Sequence, residues 1–375
     1  LGIRKLETAR DIKMTKIITP KPGIMDIELY VGGKSHAVGI ENTVKLSSNE
    51  NPFGPSPKAK DAYRNQTDFL AVYPSSDHNE LRQAIANINR LNFEQVICGN
   101  GSDEIITFLC QAFAGVGDEV LFTEHGFGMY RICALGAGAT PVEVPENSRV
   151  TDVDALIERC TENTKLIFIA NPNNPTGTFI PLTEIERLID GVPKNILIIL
   201  DGAYAEYVEG YDGGAQLVEM HENVVMTRTF SKVYGLGGLR IGWGYASPEV
   251  VDILARLRGP FNINRAALSA AIAAVNDENY VNECLIQNNN CGNFLINEIR
   301  NLGFECDDTY ANFILPRFID ENQADAANAA LENAGLIVRQ VKGYNLHNCL
   351  RITIGKEVDC YRVINTLKKF KENQS

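Results

Sequence analysis

Residues 165–202 read K-L-I-F-I-A-N-P-N-N-P-T-G-T-F-I-P-L-T-E-I-E-R-L-I-D-G-V-P-K-N-I-L-I-I-L-D-G. Lys165 to Ala170 and Asn195 to Leu200 read as strands, each an unbroken apolar run after its first residue, and Leu182 to Asp190 between them reads as a helix. Strand, helix, strand is the crossover unit of a parallel sheet, and continuous Ile/Leu runs belong to strands covered on both faces. The pattern extends outward in both directions. Gln95 to Cys98, Glu119 to Thr123, Thr140 to Val144 and Val224 to Arg228 read as further strands. Asn79 to Asn89, Ile105 to Phe113, Gly128 to Leu135 and Asp152 to Cys160 read as helices. The expected fold class is therefore α/β: a three-layer domain with a mostly parallel sheet, plus a smaller α+β C-terminal domain.

The expected divisions are an N-terminal arm over residues 1–45, a large domain over 46–260 and a small domain over 261–375. The arm is rich in turn formers, and Lys45 to Pro57 reads as loop. An arm of this length suits contact with a partner subunit. From Pro260 onward the predicted elements are the helices Ala266 to Ala274 and Val281 to Leu302, the strand Asn312 to Leu315 and the helix Gln323 to Ala334. Strands at Leu336 to Val341 and Leu350 to Ile354 follow, then a helix from Val358 to Phe370. The chain begins at Leu1 rather than Met, and Met14 is read as the natural start, with residues 1–13 a cloning remnant or an extended leader.

Composition narrows the function. The 375 residues carry a net charge of −12, which argues against nucleic acid or an anionic membrane as the main partner. No run approaches the ~20 apolar residues of a membrane span, and the first residues hold no signal-peptide core. Nine cysteines without C-x-x-C spacing read as reduced thiols in the cytoplasm, and the five histidines share no metal spacing, so no metal is expected.

The chemistry lies where the strands end, because ligands of parallel sheets bind beyond the carboxyl edge. One strand runs into Asn171-Pro172-Asn173-Asn174-Pro175-Thr176-Gly177, the next into Asp201-Gly202-Ala203-Tyr204, and a third into Thr229-Phe230-Ser231-Lys232. Glycines and Arg240 follow the lysine. On local sequence alone that last stretch also reads as a surface lysine in a glycine-rich loop. Gly99 to Glu104 (G-N-G-S-D-E) joins a strand to a helix, which offers free backbone N–H groups to a phosphate, or is an ordinary helix cap. Taken together the pieces satisfy one demand, that of pyridoxal phosphate. Lys232 can form a Schiff base with its aldehyde, and Asp201 can keep its ring nitrogen protonated. Asn171 and Tyr204 can serve its ring oxygen. Ser231, Arg240 and the helix start at Ser102-Asp103 can hold its phosphate.

These residues resemble the fold-type I pyridoxal-phosphate aminotransferases, and within them the histidinol-phosphate aminotransferase family. The resemblance covers about Lys21 to Phe370. Its markers are Ser47 to Pro57, Gly99 to Glu104, Asn171 to Gly177, Asp201 to Tyr204, Thr229 to Gly242 and Leu350 to Gly355. It implies roles for Lys232, Asp201 and Tyr204 in catalysis, and for Thr229 beside Ser102, Asp103, Ser231 and Arg240 at the phosphate. It implies that Phe127 stacks on the cofactor ring, and that Tyr73 reaches the phosphate of the other subunit of a homodimer. Gly202 departs from the D-E-A-Y of many relatives, with little expected effect on the chemistry. For substrate, the resemblance points to Arg339 and Arg351, with Tyr30 near the same end and Asn171 at the cofactor side. Arg339 is otherwise a surface ion pair, and Tyr30 a residue packing the arm. The implied reaction moves an amino group between histidinol phosphate with imidazole-acetol phosphate and glutamate with 2-oxoglutarate. The alternatives are an aromatic amino-acid aminotransferase acting on Phe or Tyr, a decarboxylase of a phosphorylated amino acid, and a cofactor-binding regulator without turnover.

Overall fold

The structure, a computed structural model, describes residues 19–29, 32–35, 39–40 and 42–374. Its strands are β1 (Val44–Lys45), β2 (Val96–Gly99), β3 (Glu119–Thr123), β4 (Thr140–Val144), β5 (Thr164–Ala170), β6 (Leu197–Asp201), β7 (Val224–Thr229), β8 (Gly242–Tyr245), β9 (Phe313–Ile314), β10 (Leu336–Ile337), β11 (Arg339–Val341) and β12 (Leu346–Thr353). Seven form one sheet in the order β2-β8-β7-β6-β5-β3-β4. Only β8 runs antiparallel, to β2 on one side and β7 on the other. The other pairings are parallel, as the unbroken apolar runs predict.

Alternation within those runs divides the core. Leu166, Phe168, Ile199 and Val225 pack on one side of the sheet, and Ile167, Ile169, Ile198, Leu200 and Met226 on the other. Burying both faces leaves the strand ends as the place where polar side chains meet water. Register aligns three of those ends: Ala170 lies beside Asp201, and Asp201 beside Thr227. Thr229 in turn pairs with Gly242, and Gly242 with Gly99.

A second core holds the C-terminal lobe together, built from Leu295, Ile299, Leu331, Leu350, Ile352 and Leu367 among others. Packing corrects the expected division at 260/261. The helix Arg265–Val275 places Ala267, Ala270, Ala271 and Ala274 in the core of the sheet domain, and Cys284 joins them. The second core begins at Cys291, so the change of lobe falls inside the long helix Glu278–Asn301. The arm boundary moves as well, because β1 pairs with β10 and Leu46 enters the second core. Residues 336–341, expected as one strand, are two: β10 turns to β1 and β11 to β12. Among the helices that escape the sequence reading are Pro57–Arg64 and Pro248–Leu257. Each has the serine N-cap followed by proline that marks a helix start.

Candidate active site

The carboxyl ends of β5, β6 and β7 open into one cleft, closed from the far side by β12 and the segment Ser47-Ser48-Asn49. Lys232 lines it three residues beyond β7, with its Nζ 5.4 Å from the centre of the Tyr204 ring. Asp201 ends β6 and is almost fully buried. Its Oδ2 accepts from the Tyr130 hydroxyl at 2.7 Å, while Oδ1 accepts from Thr227 Oγ1 at 3.3 Å and from the Ala203 N–H at 3.2 Å. Burial pushes its carboxyl above the ordinary range, against the Tyr130 hydrogen bond, and the Asp103 charge adds to the rise. A cationic ring nitrogen beside it would relieve that cost.

The expected phosphate seat is equally built. Arg240 donates to Ser231 Oγ at 3.2 Å and to Asp103 Oδ2 at 2.9 Å. The Thr229 hydroxyl accepts from the Ser231 N–H at 3.1 Å and so shapes the turn before Lys232. The helix Ser102–Phe113 starts here, uncapped by any side chain, and its first two residues line the cleft. Two glycines keep the seat open. A Cβ on Gly101 (φ 86°) would lie 2.5 Å from Arg240 Nη2, and one on Gly242 would lie 2.4 Å from the Ser102 nitrogen. The donors, the glycine-lined cradle and the buried carboxyl group fit pyridoxal phosphate. Phe127 lines the same cleft and stands edge-on to Tyr130, with ring centres 5.8 Å apart.

At the opposite end Arg339 and Arg351 face each other directly across the β11–β12 pair, and both line the cleft with Tyr344. Arg351 is buried. Its Nη1 donates to Asn174 Oδ1 at 2.5 Å and its Nη2 to the Ser47 carbonyl at 2.9 Å. The cleft thus carries Arg240, Lys232, Arg339 and Arg351 against Asp103 and Asp201, an excess of positive charge inside an acidic chain. Anionic groups at both ends of a ligand suit it.

Among the described residues, two expected site residues, Asn171 and Tyr73, are not brought into the cleft. Asn171 is buried beneath it: its Nδ2 donates to the Ile180 carbonyl at 2.9 Å and its Oδ1 accepts from the Ile180 N–H at 2.9 Å. That amide is consumed in holding the loop, which corrects its assignment to the ring oxygen and to substrate. Asn174, three residues on, lines the cleft instead. Nothing in the sequence separates these two asparagines of one N-P-N-N-P run; the fold of the loop does. Asn174→Ala is expected to lower kcat/KM by about tenfold with the melting temperature unchanged, since it frees the Arg351 fork. Asn171→Ala is expected to cost about 2 kcal/mol of stability by stranding two buried backbone groups. Urea unfolding and steady-state kinetics on both variants check this. Tyr73 is exposed, stacked on Phe261 at 4.5 Å and outside the cleft of its own chain. Tyr30 lies outside the described residues.

Sequence reading also missed Tyr130, three residues after Phe127 and so on the same side of the helix Met129–Ala137 as its entry turn. Helical spacing from an expected ring-stacking residue could have found it. Gly202 is explained from behind the site. A Cβ there would lie 3.0 Å from Arg228 Cδ, and Arg228 forms a buried ion pair with Glu206 at 2.7 Å.

Comparison with known proteins agrees with this geometry. A family model described as aminotransferase class I and II matches residues 41–367. A curated histidinol-phosphate aminotransferase of Ruegeria sp. is 57% identical over 354 residues, 94% of this chain and 98% of that protein. One of Cereibacter sphaeroides is 56% identical over 358 residues, 96% of this chain and 99% of that protein. The crystal structure of histidinol-phosphate aminotransferase from Sinorhizobium meliloti, in complex with pyridoxal-5'-phosphate, superposes with a TM-score of 0.87. At 24% identity, over 97% of this chain and all of that one, it shares the fold. The chain belongs to the class I and II aminotransferases. Within that class, its curated relatives place it in the histidinol-phosphate aminotransferase family.

Proposed function

We propose that this chain transfers an amino group between histidinol phosphate with imidazole-acetol phosphate and glutamate with 2-oxoglutarate, using pyridoxal 5'-phosphate. The observation that carries the reading is the arginine pair. Arg339 and Arg351 stand opposite one another at one end of a cleft whose other end is a separate phosphate seat. Two anion sites with Lys232 and Asp201 between them suit a phosphorylated cofactor and an anionic substrate at once.

When bound, the cofactor supplies an electron sink for the substrate carbon that carries the amino group. Lys232 would hold it through its aldehyde, and its amine would take and return the proton at that carbon. Asp201, buried at the end of β6, would hold a proton on the ring nitrogen, with Tyr130 and Thr227 fixing the carboxyl group in place. Ser102, Ser231, Arg240 and the helix start bind the phosphate, and Phe127 offers a flat apolar face. Tyr204 and Asn174 are the polar groups left for the ring oxygen. At the far end the two guanidinium forks take the substrate phosphate in one half of the cycle and a glutamate carboxylate in the other.

The working unit is a homodimer. Phe69, Leu70, Val72, Tyr73 and Phe261 form an exposed apolar surface that a second copy would cover, with Tyr73 reaching toward its phosphate seat. Sedimentation as a monomer at micromolar concentration would sink that assignment. No described helix is long and apolar enough to cross a membrane. The nine cysteines are free thiols, which supports the cytoplasm as the compartment.

The test is a half-reaction. Protein loaded with pyridoxal phosphate is mixed with histidinol phosphate or with phenylalanine, and loss of the bound cofactor's visible absorbance is followed. Conversion at least about 100-fold faster with histidinol phosphate is expected, the worth of charged hydrogen bonds from two arginines to one phosphate. Equal rates on the two substrates would refute the arginine pair as a phosphate site.

A further inference from the structure

Asn49 lies in the turn that closes the cleft, almost fully buried, with its backbone in the left-handed region at φ 56°. Glycine reaches that conformation most easily, so a side chain kept there points to a use for it. The backbone is pinned by the C-terminal lobe: the Asn49 N–H donates to Thr353 Oγ1 at 3.0 Å, and its carbonyl accepts from Asn312 Nδ2 at 2.9 Å. Thr353 Oγ1 also reaches Asn49 Oδ1 at 3.4 Å. The remaining half of the carboxamide is committed to the sheet domain. Asn49 Nδ2 donates to the Tyr204 hydroxyl oxygen at 2.8 Å, in the interior beside Lys232.

A phenol has one proton to give. An amide N–H directed at its oxygen occupies an acceptor position and forces that proton to point elsewhere, here toward the cleft. We propose that Asn49 is a positioning residue, which orients the Tyr204 proton toward the cofactor's ring oxygen and makes that orientation depend on Thr353 and Asn312 of the C-terminal lobe. The inference rests on the reading of Tyr204 as a ring-oxygen contact. Asn49 itself acts through Tyr204. A hydroxyl donated to the ring oxygen favours the ionised form of the bound chromophore, so weakening the donation raises the pH at which its visible absorbance changes.

The experiment is a double-mutant cycle on protein reconstituted with pyridoxal phosphate: wild type, Asn49→Gly, Tyr204→Phe and the pair together. Glycine keeps the left-handed turn and removes only the carboxamide. The readouts are the pH midpoint of the cofactor's visible absorbance and cofactor affinity. Tyr204→Phe is expected to raise the midpoint by about one unit, the worth of one charge-assisted hydrogen bond. Asn49→Gly is expected to raise it by about half as much, and the double variant to match Tyr204→Phe alone, as two changes on one pathway do. Thr353→Val, which keeps the carboxamide and loosens its anchor, is expected to shift the midpoint the same way and to have no effect in the Tyr204→Phe background. A shift in Asn49→Gly that adds to that of Tyr204→Phe overturns the proposal, because Asn49 would then act independently. So does an unmoved midpoint in Asn49→Gly when Tyr204→Phe moves it. An unmoved midpoint in Tyr204→Phe itself overturns the ring-oxygen contact, and the proposal with it.

Discussion

Lys232→Ala is expected to lower turnover by about 10^4-fold, the upper range for loss of a positioned proton-transfer group. The amine would hold the cofactor and move the substrate proton, so one substitution removes both actions. No neighbour can stand in. The other basic groups lining the cleft, Arg240, Arg339 and Arg351, are guanidiniums, which have donors only and do not condense with an aldehyde. Lys232→Arg is expected to be as inactive, for the same reason. Single-turnover kinetics with histidinol phosphate measure the loss. Borohydride reduction followed by mass spectrometry gives a second readout: wild type retains the cofactor's mass and the variant does not. Turnover within tenfold of wild type would refute the assigned role.

Asp201→Asn is expected to act in opposite directions on activity and on stability. Activity should fall by about 10^3-fold, because an amide cannot hold a proton on the ring nitrogen. Stability of the cofactor-free protein should rise at neutral pH. Burial raises the Asp201 pKa in the folded chain, so folding favours its protonated form. That contribution is present at acid pH and is lost as pH rises through the raised value; above it the buried charge costs stability. Asparagine removes the charge, and Tyr130 can turn from donor to acceptor to meet the new N–H. An increase of about 2 °C in melting temperature at pH 7 is expected, shrinking toward acid pH where Asp201 is protonated in the parent. With pyridoxal phosphate bound the order should reverse, since only the carboxylate gains a cationic partner. A cofactor-free variant that melts lower than wild type at pH 7 would show that the carboxylate is held mainly by its three hydrogen bonds.

The sequence alone determined six of the seven strands of the large sheet, all but β8, and the residues at its edge. Unbroken apolar runs require a strand buried on both faces, whichever neighbours it takes, and a polar residue ending such a run has only the carboxyl edge to occupy. Asp201, Thr229, Ser231 and Lys232 follow from that local rule, and the structure brings them into one cleft. Periodicity failed where the decision was not local. The choice between Asn171 and Asn174 depends on a loop folding back to pair with Ile180. The break within residues 336–341 depends on two separate strands offering edges. The helix Arg265–Val275 reads like any alanine-rich helix, yet its side chains lie in the first lobe's core. Asn49 meets Tyr204 across 155 positions of sequence, and Thr353 across 304. Such contacts carry no sequence signal because hydrogen bonds and packing act over a few ångströms of space, whatever their separation along the chain. Only the tertiary structure decides which distant residues come within that reach.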